Sequence, residues 1–143
     1  MLRSLRFAAR AVIVLGVLLA AGAEPAPASE TAWKALFESG VKARKEAKYA
    51  DAERLLRTAV TRAEAFGPQD DRLVRSLNEL GTVLRLAKKL DEALTAHDRA
   101  LKIAEAKHGP ESPEAATSIY GLAAVATLQD RAEDAEPLFK RAL

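Results

Sequence analysis

Leu36-Phe37-Glu38-Ser39-Gly40-Val41-Lys42-Ala43-Arg44 and Leu77-Asn78-Glu79-Leu80-Gly81-Thr82-Val83-Leu84-Arg85 stand 41 residues apart and agree at four of nine positions, Leu, Glu, Gly and Arg. The agreement runs on through Lys48/Lys89, Ala52/Ala93, Ala59/Ala100, Ala63/Ala104, Glu64/Glu105 and Ala65/Ala106, all at the same 41-residue offset. A shift of 42 extends it to Leu80/Leu122, Val83/Val125, Leu86/Leu128, Ala93/Ala135, Arg99/Arg141, Ala100/Ala142 and Leu101/Leu143. Self-similarity at one fixed period means that one supersecondary unit is used again and again, each copy burying the face its neighbour exposes.

Each unit reads as two helices. Leu73, Leu77, Leu80 and Leu84 keep helical spacing, Lys88-Lys89-Leu90-Asp91 interrupts it, and Ala93, Ala96, Ala100, Leu101 and Ala104 resume it. Alanines at 52, 59, 93, 100, 135 and 142 leave room for close helix contact. Gly67-Pro68 and Gly109-Pro110, 42 residues apart, end one unit before the next begins. Glycine takes the left-handed conformation that closes a helix, and proline blocks continuation. Ser112-Pro113-Glu114 then supplies an N-cap, a first-turn proline and a first-turn acid. The helices are predicted at 30–46, 50–66, 70–87, 91–108, 113–129 and 132–143, with no strand.

Composition agrees. Of the 143 residues 49% are hydrophobic but only 5% aromatic, a mix suited to small-residue helix packing. The absence of cysteine excludes disulfides, thiolate metal sites and cysteine nucleophiles. The formal charge of +2 comes from the start of the chain: without Arg3, Arg6 and Arg10, 19 basic residues face 20 acidic ones. A near-neutral remainder lacks the basic surface that nonspecific nucleic-acid binding needs.

Those arginines belong to a segment with the three parts of an export signal: a basic start, the apolar run Ala11–Ala21 and the small residues Ala21-Gly22-Ala23. Residues 1–23 are read as a signal peptide cleaved after Ala23, with Ala26-Pro27-Ala28 as a second cleavage candidate and an uncleaved inner-membrane anchor as the alternative. The 11-residue apolar run is short against the roughly 20 residues a spanning helix needs. The expected location is periplasmic or secreted, with no membrane span after processing. Residues 24–29 read as a linker and 30–143 as the repeat domain, with units at about 32–69, 70–111 and 112–143.

The stretches Leu77-Asn78-Glu79-Leu80-Gly81, Lys89-Leu90-Asp91-Glu92-Ala93 and Ala135–Leu143 resemble tetratricopeptide repeats, specifically the ~42-residue kinesin-light-chain-like type. The resemblance covers about residues 32–143 and implies an all-α solenoid of three helix-turn-helix repeats in a right-handed superhelix. Four positions depart from the pattern: Ser39, Ala43, His97 and Ala126 stand where larger apolar or aromatic residues are usual.

No enzyme chemistry is legible, and no cofactor is expected. His97 and His108 are the only histidines and no third metal ligand converges on them; His97 reads as structural. The seven glycines form no phosphate loop, and the acidic pairs sit at helix starts, where they favour the helix dipole.

The resemblance implies that the first helix of each repeat lines a concave binding face. Carried over, it gives Lys34, Phe37, Val41 and Arg44, then Arg75, Asn78, Thr82 and Arg85, then Thr117, Tyr120, Ala124 and Thr127. Asn78 matches an asparagine the family uses on a peptide backbone; the four basic residues suggest acidic peptides or a C-terminal carboxylate. Arg75, Asn78 and Arg85 are expected to face solvent in the free protein. The functional expectation is a protein- or peptide-binding scaffold or assembly factor of the bacterial cell envelope. The alternatives are a self-associating repeat protein, joined as a homo-oligomer through an exposed Leu138 and Leu143, or a fragment of a larger protein.

Overall fold

The computed structural model describes residues 27–143; the expected signal peptide and cleavage site lie outside them. Six helices follow in order: α1 (Glu30–Lys45), α2 (Tyr49–Glu64), α3 (Asp71–Leu86), α4 (Leu90–His108), α5 (Pro113–Leu128) and α6 (Ala132–Ala142). Among the described residues there is no strand, and the predicted boundaries hold to within two residues. The fold is an all-α solenoid of stacked helix pairs.

Two kinds of junction alternate along it. The first helix of each pair starts on a side-chain cap: Ser29, Asp70 and Ser112 accept from the backbone N–H of Ala32, Arg72 and Ala115. The second helices, α2, α4 and α6, have no side-chain cap and start instead from a tight turn. In that turn Ala47, Lys88 and Asp130 take positive φ of 58°, 64° and 58°. The next N–H reaches back five residues, Lys48 to Ala43 at 2.9 Å, Lys89 to Leu84 at 2.8 Å and Arg131 to Ala126 at 2.9 Å. This is a Schellman closure built three times without glycine.

The core is apolar and continuous. Ala52, Ala59, Ala93 and Ala100 are fully buried and Ala135 nearly so, which lets successive helices approach closely. Gly40 serves the same end, because a Cβ there would meet Leu56 Cγ at 2.7 Å. Ala43 and Ala126, small where the repeat pattern favours bulk, are buried all the same. Ser39 and Lys42 are exposed, whereas Leu80 and Val83, their counterparts 41 residues on, are buried. Helix α1 thus turns a polar face away from the stack. Leu143 is exposed as expected, and so is Leu128, but Leu138 is not: it packs partly buried against the core, on the inward side of α6.

Ion pairs tie repeat to repeat, and they explain identities seen in the sequence. Glu64 pairs with Arg99 at 2.7 Å, and Glu105 with Arg141 in the same register one unit on. Glu53 holds both Arg57 and Lys89, at 2.8 and 2.9 Å, which draws its carboxyl below the ordinary range despite desolvation.

Candidate functional site

The backbones of α1 and α3, and of α3 and α5, come close, while the second helices of the pairs stand further apart and meet through long side chains such as Glu64–Arg99 and Glu105–Arg141. The stack is tighter on the side of the first helices, which makes that side concave. The twelve candidate residues lie on these three helices.

Their exposure divides them. Lys34, Arg75, Thr117, Tyr120 and Thr127 are open to solvent, and Phe37, Val41, Arg44, Thr82, Arg85 and Ala124 are half-buried. Asn78 departs from the expectation: it is buried, and both ends of its amide are engaged. Its Nδ2 donates to Ser118 Oγ at 3.0 Å, and its Oδ1 lies 3.0 Å from His97 Nδ1. It joins α3, α4 and α5 rather than offering hydrogen bonds to a ligand.

The reason is register. Phe37, Asn78 and Tyr120 are equivalent positions, and the first two face the first helix of the following repeat. Arg75 of α3 lies over the Phe37 ring with its Cζ 5.0 Å from the centroid. Ser118 of α5 meets Asn78, as just described. Tyr120, in the last repeat, is 61% exposed and meets the edge of Phe139 at 5.6 Å instead. The serines that complete these contacts were not singled out from sequence. Ser76 and Ser118, 42 residues apart and wholly buried, each accept from the preceding first helix: Ser76 from Trp33 Nε1 at 2.9 Å, Ser118 from Asn78. Both also donate to the carbonyl four residues back, Arg72 and Glu114. The signal was present in the 42-residue shift, as a serine repeated in an otherwise apolar pattern.

His97 is the buried centre of this joint, 2% exposed. Because Ser118 donates to a carbonyl, its oxygen accepts from Asn78 Nδ2. Asn78 Oδ1 is then the acceptor that faces the ring, and His97 carries its proton on Nδ1. The other nitrogen, Nε2, has no hydrogen-bond partner among the described residues. Burial, and secondly the Arg85 charge, lower the imidazole to about 4, so the ring is neutral at pH 7.

Charge on the concave face is more balanced than the basic set suggests. Lys34 lies 3.8 Å from Glu38, and Arg44 donates to Glu79 at 3.0 Å. Arg75 rests on the stacked rings of Trp33 and Phe37. Arg85 alone of the four has neither a carboxylate nor an aromatic partner among the described residues. Its register explains this. Arg85 is the counterpart of Arg44, but the counterpart of Glu79 is Gly121. A Cβ at Gly121 would lie 2.4 Å from the His97 ring, so no glutamate fits there.

On the opposite side, between α2 and α4, a cleft of about 450 Å³ is floored by Leu77, Leu80 and Leu84 and edged by the Arg57–Glu92 pair. Among the described residues no helix is long and apolar enough to cross a membrane.

No curated protein matches the chain. A family model does: the one described as tetratricopeptide repeat matches residues 73–143, from α3 through α6. Repeats of this family mediate protein–protein interaction. With that match lying on helix pairs stacked at a 41–42-residue period, the chain belongs to the tetratricopeptide repeat family.

Proposed function

We propose that the protein is a non-enzymatic scaffold or assembly factor of the bacterial cell envelope, holding an extended segment of a partner along the face of its first helices. The observation that carries this is Arg85: a half-buried cation on the concave side with no carboxylate partner among the described residues. The exposed groups of α5, Thr117, Tyr120 and Thr127, border the same face and offer hydroxyls and a ring. This chemistry suits a segment bearing an acidic side chain or a terminal carboxylate beside an apolar one. Asn78 has no part in it. The envelope location rests on the export pattern of residues 1–23.

Photo-crosslinking in cells tests the reading. A crosslinker at Thr82 or Thr127 should trap a partner, and one at Thr58 on α2 should not. Arg85→Glu should weaken the groove adducts while Arg44→Gln spares them. Adducts from Thr58 alone would move the binding surface to the other side.

Self-association remains the second reading, because among the described residues the exposed large hydrophobics, Tyr120, Leu128 and Leu143, all lie in the last repeat. Sedimentation of wild type and Tyr120→Glu tests it. A concentration-dependent dimer lost in the variant supports it, and a monomer at all concentrations removes it.

A further inference from the structure

We propose that His97 is a proton-sensitive latch at the joint between the second and third repeats, so that a proton on its ring releases α5 and α6 from α3 and α4. The geometry of the joint points there. The imidazole fills the gap between two glycines, Gly81 of α3 and Gly121 of α5; a Cβ on either would lie within 2.6 Å of the ring. It is therefore a packing element of the α3–α4–α5 junction, in the place that Leu56 occupies against Gly40 one repeat earlier. Where the first repeat uses an inert side chain, the second uses a titratable one.

A proton has to go on Nε2, since Nδ1 is already protonated toward Asn78. There the new N–H finds no acceptor among the described residues. Nor does the charge find an anion. From α3 the charged group that acts on the ring is Arg85, of the same sign. Glu79, also on α3, is held by Arg44. From α5 the ring meets Gly121, and Ser118 through Asn78. On α4 itself the adjoining Asp98 is paired with Lys102. A charged ring is stable only if water reaches it, and water reaches it only if α5 moves away.

Burial already opposes the charged form, holding the group at about 4 against 6.5 when solvated. The closed joint thus loses about tenfold in its closing equilibrium per pH unit between those values, roughly 300-fold in all. The side chains that fill the first joint, Trp33, Leu56 and Ser76, take no proton in this range, and its Glu53 carboxyl, lowered from 4.5, titrates only below that value, so the first joint lacks that slope.

Hydrogen exchange of the full chain, corrected for the intrinsic rate at each pH, reads this directly. Between pH 6.5 and 4 the opening of Ile119–Val125 amides should rise by up to roughly 300-fold, while that of Leu55–Ala63 amides stays nearly level. His97→Gln, which keeps a donor for Asn78 but takes no charge, should remove the excess, and so should His97→Leu. An equal rise in both segments of the wild type would overturn the proposal. So would an excess that persists in both variants.

Discussion

Asn78 shows how far a single residue can be read from sequence and where reading stops. The side-chain type and its place on a first helix pointed to a ligand, but its fate depends on what the next repeat sets opposite it. Here that is Ser118, with His97 closing the third side. Asn78→Ala therefore leaves a buried serine and a buried imidazole without their partner. It should cost about 1–3 kcal/mol in urea denaturation, most of it the penalty of unsatisfied buried groups. An unchanged midpoint would return Asn78 to the groove. Polar pairs between repeats were illegible in the chain because hydrogen bonding across 40 residues leaves no local periodicity. The buried alanines were legible, since smallness at a fixed period has one structural use.

Among the elements, helix number, type and limits followed directly from spacing and from the Gly-Pro punctuation. What sequence did not disclose is how each pair turns on itself. Ala47, Lys88 and Asp130 sit in the left-handed region, and only the aspartate is a residue type that visits it readily. Nothing in an alanine or a lysine announces this. The closure succeeds because the following N–H finds its carbonyl and the helices pack. Lys88, exposed and with φ 64°, carries the strain most plainly. Lys88→Gly should raise stability by about 1 kcal/mol, partly offset by the freedom glycine gains in the unfolded chain. Thermal unfolding followed by circular dichroism measures it, and a lowered Tm would show that the lysine makes a contact worth more than the strain.

For the molecule as a whole, acid should act in two stages. The folded value of His97 lies below its unfolded one, so the unfolded chain takes the proton first. Its contribution is intact above pH 6.5 and is lost as pH falls toward 4, about 3 kcal/mol over that span. Asp71, held by His108 and Lys107, Asp70, bonded to Arg72, and Glu53 are depressed instead. Their stabilisation is present above their ordinary values of 3.8 and 4.5 and drains only below them. Urea midpoints between pH 3 and 7 should then fall along two limbs, and His97→Gln should flatten only the upper one. At the scale of the cell, Val14→Arg with Leu18→Arg should leave the chain unprocessed in the cytoplasm, because charges in the apolar run oppose membrane insertion. Normal processing of that variant would remove the export reading.

The ring of His97 between Gly81 and Gly121 also limits the order in which this sequence can change. Gly81→Ala, ordinarily a gain of about 1 kcal/mol inside a helix, is here a loss, because its methyl group meets the imidazole. Once His97 is reduced to alanine, the same substitution has room and regains its helical advantage. A double-mutant cycle on Gly81 and His97 should therefore show sign epistasis, with a coupling of about 1–3 kcal/mol. The two glycines and the histidine form a mutational lock: a lineage can leave the arrangement only by giving up the large residue before either small one.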